Sequence, residues 1–382
     1  MKILLVGEYF SKNLGDPVLC QTVEHSILDA FPNVQVIPFD MSGKTGFDTY
    51  FQPSSYSDVQ NWYFRLSYRT PFILKRFPLC RVIQQDTDRY MRTMCMLDGV
   101  LAKVSIDLVV FAGGSIFMDY FAGIIYGIVK RCARRNIPII FHACGMSRLT
   151  EDSIYVLQQA LKFENIKSIS LRDSYLRFLE HFHINASVTE TFDTALACSN
   201  YFFKNKNVIA DMGVGVIGIP KYFEFQKKVV RDIQRSGNSW KLFTNGELSD
   251  RKMAIHILDD LGIPVSERDK YIVSNPRNAE ELIKTVTSFQ KIVAFRMHSQ
   301  IVAASYGIPC FGFVWDAKIK EFYSKIGMPN NCIDPNREIP WNEIERCLCI
   351  NSEQLHDTAV CAGKRSQQSL IKQIERVSMM RC

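Results

Sequence analysis

Short apolar, β-favouring runs alternate with longer amphipathic stretches along most of the chain. Lys2–Gly7 is the first such run, and the stretch from Pro17 to Phe31 has helical spacing. Asp16 followed by Pro17 fits a helix cap and a first-turn proline. Val34–Phe39, Leu108–Ala112, Ile137–Ala143 and Ser168–Leu171 read as further strands, each followed by a helix-like segment. A second series begins after Asn200, with strands at Val214–Ile219, Trp240–Thr244, Lys270–Val273 and Lys291–Phe295. Helices at Tyr222–Arg235, Asp250–Leu261, Ala279–Phe289 and Ser299–Tyr306 alternate with them. Repeated βα units of this kind predict parallel sheets covered on both faces. The expected fold is therefore α/β: two Rossmann-like domains facing a cleft, residues 1–200 and 201–382, joined near Ser199–Met212. The last helix, Ser352–Val377, is placed to cross back and support the first half.

Composition narrows the class. At 382 residues, 47% hydrophobic and 22% charged, the chain is long enough for two buried cores and too apolar to be disordered. A net charge of +7 fits an anionic substrate or a membrane surface, and no nucleic-acid-binding module accompanies it. The twelve cysteines include no Cys-x-x-Cys pair and no zinc spacing, which points to a reduced, cytoplasmic protein without a metal. The first apolar run is too short for a signal peptide. Leu108–Val129 comes nearest to a membrane span, but Gly113-Gly114-Ser115 divides it into strand, turn and helix.

One segment breaks the alternation. Residues 42–104 read as an insertion rich in aromatic and basic residues. From Asn61 to Lys103 it carries Arg65, Arg69, Lys75, Arg76, Arg81, Arg89, Arg92 and Lys103 against Asp86, Asp88 and Asp98. Interleaved with Trp62, Tyr63, Phe64, Tyr68, Phe72 and Phe77, this charge suits peripheral contact with an anionic lipid surface. A solvated helical lid with an ordinary core face has the greater weight.

Candidate chemistry concentrates at Arg296-Met297-His298-Ser299. The motif lies where a strand's carboxyl end meets a helix's amino end, a place with free N–H groups and a positive dipole. Open α/β sheets bind ligands there. Arg296 and His298 at such a junction point to a phosphate or carboxylate ligand; the plainer alternative is that they cap the sheet edge. Gly213-Val214-Gly215-Val216-Ile217-Gly218 matches G-x-G-x-x-G in letters only. Its glycines fall inside a predicted strand rather than in a turn opening a helix, so a dinucleotide site is not expected.

Other motifs occur in a fixed order around this one: Asn13-Leu14-Gly15-Asp16, Gly113-Gly114-Ser115 with Asp119, His142-Ala143-Cys144-Gly145, Arg172-Asp173-Ser174, Asp193-Thr194 and Asn245-Gly246. Arg296–Ser299 and Lys318 complete the series. The ordered set resembles the polysaccharide pyruvyl transferase family from Lys2 to about Phe322, outside the insertion. The family's glycine triplet is Ala112-Gly113-Gly114 here, and its usual Gly-Pro is Gly145-Met146.

The resemblance implies a glycosyltransferase-B-type fold, no cofactor, and transfer of pyruvate from phosphoenolpyruvate to a sugar as a ketal. The acceptor would be a sugar or lipid-linked oligosaccharide of a surface-polysaccharide precursor, met on the cytoplasmic side of the membrane. It also implies roles: His298 as acid or phosphate donor partner, Arg296 as an anion fork, and Arg172 and Lys318 as further anion ligands. Asp16 and Asp119 would accept or orient sugar hydroxyls, with Asn13, Gly113, Gly114, His142, Asp193, Asn245 and Ser299 lining the site. Plainer roles stay open for several of these. Asp16 caps a helix, Arg172 pairs with a neighbouring carboxylate, His142 is a hydrogen-bonded core histidine, Asp193 orients a loop, and Asn245-Gly246 forms a turn. Two other functions also stay open. One is a nucleotide-sugar-dependent glycosyltransferase in which Arg296 and Lys318 hold a diphosphate; the other is a non-catalytic protein that binds glycan or membrane.

Overall fold

The computed structural model describes residues 1–52, 77–205, 207–337, 340–350 and 352–380. By its internal contacts the chain divides into two compact units. The first comprises Met1–Phe10, Glu24–Thr191 and Gln368–Cys382; the second comprises Ser11–Val23 and Phe192–Gln367. The division therefore differs from a single cut near residue 200. The loop and helix start at Ser11–Val23 belong with the second unit, and the last residues belong with the first.

The first unit is built on β1 (Lys2–Gly7), β2 (Gln35–Asp40), β5 (Leu108–Phe117), β6 (Ile139–Met146), β7 (Ile166–Leu171) and β8 (Ser187–Glu190). A small antiparallel hairpin, β3 (Lys44–Gly46) and β4 (Thr49–Tyr50), stands apart from this sheet. The six strands pair in parallel in the order β2-β1-β5-β6-β7-β8. All eight residues of β6 are buried, as expected for a central parallel strand covered on both faces. The helices are α1 (Gly15–Ala30), which runs from one unit into the other, then α2 (Pro78–Gln84), α3 (Thr87–Lys103), α4 (Asp119–Ala133), α5 (Glu151–Leu161) and α6 (Tyr175–His181).

Two local expectations change here. The turn expected at Gly113-Gly114-Ser115 is part of β5, which continues to Phe117. Gly114 has φ 85°, and the pairing with β6 shifts register between Gly114 and Phe117, so these glycines form an irregularity within a buried strand. Helix α1 starts at Gly15, so Asp16 lies in its first turn instead of capping it. The insertion from Pro78 onward is an ordinary packed pair of helices, with Val82, Met94 and Leu97 buried and Arg81 and Arg89 paired with Asp152 and Asp86. Trp62, Tyr63, Phe64, Arg65, Tyr68, Arg69, Phe72, Lys75 and Arg76 lie outside the described residues. No helix among the described residues is long and apolar enough to cross a membrane.

The second unit carries a parallel sheet in the order β10-β9-β11-β12-β13. The strands are β9 (Ala210–Gly215), β10 (Trp240–Phe243), β11 (Phe289–Ala294), β12 (Cys310–Phe313) and β13 (Cys332–Ile333). Its helices are α7 (Phe223–Arg235), α8 (Leu248–Asp260), α9 (Ala279–Val286), α10 (Met297–Ser305), α11 (Ala317–Lys325), α12 (Trp341–Ile350) and α13 (Ser352–Met379), the last continuing into the first unit. Strand β9 begins and ends earlier than the expected Val214–Ile219. Within it, a Cβ on Gly213 would lie 2.5 Å from the Phe289 ring, and one on Gly215 would lie 2.8 Å from Phe243. These glycines let aromatic rings lie on the sheet. The strand expected at Lys270–Val273 is reduced to one bridge, Leu242 to Ile272.

Candidate active site

In the second unit, successive strands leave β9 in opposite directions, β10 on one side and β11 on the other. The carboxyl ends of β9 and β11 thus mark the switch point where such sheets bind ligands. The segment Phe295–Ser299 leaves β11 there. The Gln300 side-chain amide donates to the Ala294 carbonyl at 2.9 Å, and the Trp315 indole donates to the Phe295 carbonyl at 2.7 Å. Together they hold the strand-to-helix junction, and Arg296 occupies the position before α10 without capping it through its side chain.

The Arg296 fork is already engaged. Its Nε and Nη2 each donate to Asp250 at 2.9 Å, and the Asp250 carboxylate is 0% exposed. Asp250 also accepts from the Gly218 backbone N–H at 2.8 Å. Two of the Arg296 donor groups therefore tie the loop after β11 to the loop after β9. Asp250 is the residue that sequence reasoning missed. Its place two residues into a helix resembled an ordinary first-turn acid, and the only signal was that the arginine needed a buried partner.

His298 is 5% exposed in the first turn of α10. Its Nε2 lies 3.8 Å from the Asp193 carboxylate, and that carboxylate accepts from the Ala195 N–H at 2.9 Å. The bond from Ala195 fixes Asp193 at the start of the 3-10 turn Thr194–Asn200. The first turn of α1 closes on the same imidazole: a Cβ on Gly15 would lie 2.2 Å from His298 Nδ1. No side chain fits there, so Gly15 is required by the close approach of backbone to ring. The histidine thus sits between a carboxylate and the start of a second helix.

Several of the remaining expected residues of this unit lie beside it. Ser299, fully buried, donates its hydroxyl to Asn245 Oδ1 at 2.5 Å. The Asn245 carbonyl accepts from the Leu14 N–H at 2.9 Å. Gly246 turns the chain at φ 102°, where a side chain would strike the Lys12 carbonyl. The Asp16 carboxylate accepts from Ser11 and Asn13 at 3.2 and 3.1 Å, which orders the loop ahead of α1. Lys318 lies one strand along, in the first turn of α11, where Asp316 caps its N–H at 3.0 Å. Cys198 stands near Asp193, but burial pushes its thiol up to about 12, with the carboxylate adding to the effect, so it is no thiolate nucleophile at neutral pH. Among the described residues, no three His, Cys, Asp or Glu side chains are grouped to hold a metal ion.

The other expected residues lie in the first unit, where each has structural work. His142, 0% exposed, pairs through Nδ1 with Gln373 Oε1 at 2.9 Å and with Ser170 at 3.2 Å. It is an internal link to the last helix. Asp119 accepts from the Thr150 N–H and hydroxyl at 2.8 and 3.0 Å, joining the starts of α4 and α5. Arg172 is 6% exposed and pairs with Asp173 at 3.3 Å, while Asp173 accepts from the Met146 N–H at 2.9 Å. Gly113 and Gly114 are buried inside β5.

Comparison with known proteins agrees with this architecture. The chain is similar over its whole length to a UDP-GlcNAc 2-epimerase from Neisseria meningitidis, with 12% identity, TM-score 0.55 and 100% of both chains covered. It is also similar to the S. aureus MnaA–UDP structure, with 12% identity and TM-score 0.55 over 98% of this chain and 96% of the other. The N-terminal domain of Candida albicans trehalose-6-phosphate phosphatase gives 10% identity and TM-score 0.54 over 99% and 96%. At such identities the likeness speaks for the fold, an α/β arrangement of glycosyltransferase-B type with parallel sheets. A search of curated proteins returned no match. The model of one family, polysaccharide pyruvyl transferase, matches residues 13–317, from the loop before α1 to the start of α11. With its motifs along that length, the chain belongs to the polysaccharide pyruvyl transferase family.

Proposed function

We propose that this transferase moves pyruvate from phosphoenolpyruvate onto a sugar of a surface-polysaccharide precursor, forming a cyclic ketal. The observation that carries this reading is the start of α10. It joins a helix N-terminus without a side-chain cap to an imidazole backed by Asp193. Phosphoenolpyruvate bears a phosphate and a carboxylate, and helix N–H groups with a nearby guanidinium suit both. His298 protonates the methylene carbon of the enol, and Asp193 stabilises the imidazolium before transfer. A sugar hydroxyl oxygen then bonds to the neighbouring carbon, and the carbon–oxygen bond to phosphate breaks as phosphate departs toward the helix start. A second hydroxyl of the same sugar closes the ring. One hydroxyl proton reloads His298 and the other leaves by way of Asp16 and phosphate, so the products are the ketal and inorganic phosphate.

Titration with phosphoenolpyruvate and with a panel of nucleotide sugars, followed by thermal unfolding, tests the donor. Phosphoenolpyruvate is expected to raise the unfolding temperature, as a ligand of the native state must. Stabilisation by a nucleotide sugar alone would remove the reading.

A further inference from the structure

The polar atoms around His298 are not all matched. Asn245 is 1% exposed, its Oδ1 accepts from Ser299, and its Nδ2 is buried with no hydrogen-bond partner. Leaving such a donor unpaired in the native state costs about 1–3 kcal/mol, so its retention calls for a reason. The turn that carries it is firmly held. Asn275 Nδ2 donates to the Gly246 carbonyl at 2.8 Å, Thr244 bonds to Asn275 Oδ1, and Leu14 donates to the Asn245 carbonyl. Nδ2 and Oδ1 share one planar carbon, so a bond from Oδ1 to Ser299 also keeps Nδ2 close to the first turn of α10. The positive potential at a helix start favours this orientation, with the amide oxygen toward the helix.

We infer that Asn245 is an anion-binding residue of the donor site, with Nδ2 donating to a phosphate or carboxylate oxygen of the molecule held at the start of α10. The inference rests on the phosphoenolpyruvate reading above and adds a specific contact to it. A carboxylate or phosphate oxygen accepts where Nδ2 lacks a partner, and a neutral amide supplies the bond without adding another charge to a site that already holds Arg296. Ser299 then acts as a positioning residue, since its hydroxyl fixes which end of the amide is left for the ligand.

Asn245→Asp tests this, because the carboxylate still accepts from Ser299 but replaces the donor with a negative oxygen. Asn245→Ala, which removes the donor without adding charge, serves as a second variant if a buried carboxylate impairs folding. Binding of phosphoenolpyruvate and of inorganic phosphate is measured by calorimetry on the full chain. Phosphoenolpyruvate affinity is expected to fall about 100-fold in N245D and about tenfold in N245A, as for loss of a hydrogen bond to a charged group. A parallel fall for inorganic phosphate assigns the contact to the phosphate; an unchanged phosphate affinity assigns it to the carboxylate. Wild-type binding with both variants within about twofold of it would overturn the inference and leave the donor assignment standing. A weakened N245A beside an unaffected N245D would mean that the buried amide atom is an acceptor, which also overturns it. Failure of wild type to bind either ligand would overturn both.

Discussion

The carboxyl edges of the two sheets carry similar residues and use them differently. In the first unit Arg172 follows β7 and pairs with the adjacent Asp173, a local contact that also secures the Met146 N–H. In the second, Arg296 follows β11 and reaches Asp250, which holds the loop after β9, so its ion pair spans the switch point. His142 and His298 differ in the same way. His142 is completely buried against Gln373 and Ser170, whereas His298 keeps 5% exposure between Asp193 and Gly15. A charged or titratable group at a sheet edge is thus not a site by position alone. What distinguishes the second edge is the company around its histidine: an orphaned amide and two helix starts.

That contrast can be broken from the larger effect downward. Asp250→Ala would leave the Arg296 guanidinium partly buried without its carboxylate and free the loop after β9. Loss of a buried partner costs about 3–5 kcal/mol, and displacement of the junction should cut turnover about 100-fold or more. Chemical denaturation and phosphate release measure the two effects; near-wild-type values for both would show that the pair does not hold the junction. Gly15→Ala forces the imidazole or the α1 start to move, with an expected loss of about 1–3 kcal/mol from overpacking and a fall in turnover. Activity retained with an unmoved His298 would show that the close approach relaxes without consequence. The smallest effect on catalysis is expected for His142→Ala, which removes one partner from Gln373 and one from Ser170 and lowers stability by about 1–3 kcal/mol. Its KM for phosphoenolpyruvate should match wild type, and a large rise would return His142 to the substrate.

The alternation of apolar runs was enough to place most strands and helices, because fully buried parallel strands write continuous hydrophobic segments. It failed where glycine serves packing instead of turning the chain. The sequence around Gly114 suggests a turn where β5 continues, and Gly213 and Gly215 blur the end of β9, because the aromatic rings against the latter two are distant in sequence. The Arg296–Ser299 junction was legible from its place between strand and helix. The engagement of its arginine was not, since Asp250 lies 46 residues away and nothing local pairs them. Nor could the pattern show that Asn13 and Asp16 belong with the second unit, as that depends on Leu14 and Gly15 meeting Asn245 and His298.

The bond between His142 and Gln373 carries a consequence for biosynthesis. Domains commonly fold as they emerge, amino-terminal first. Here a residue in the central strand of the first unit waits for a partner 231 positions later, and Ser168 and Ser170 wait for the same glutamine. The polar floor beneath that sheet stays open until Gln373 has left the ribosome. The second unit meets the opposite schedule, because Ser11–Val23 is made long before the strands it joins. Each unit therefore completes its native contacts only after the helix that carries Gln367 and Gln373 has been synthesised.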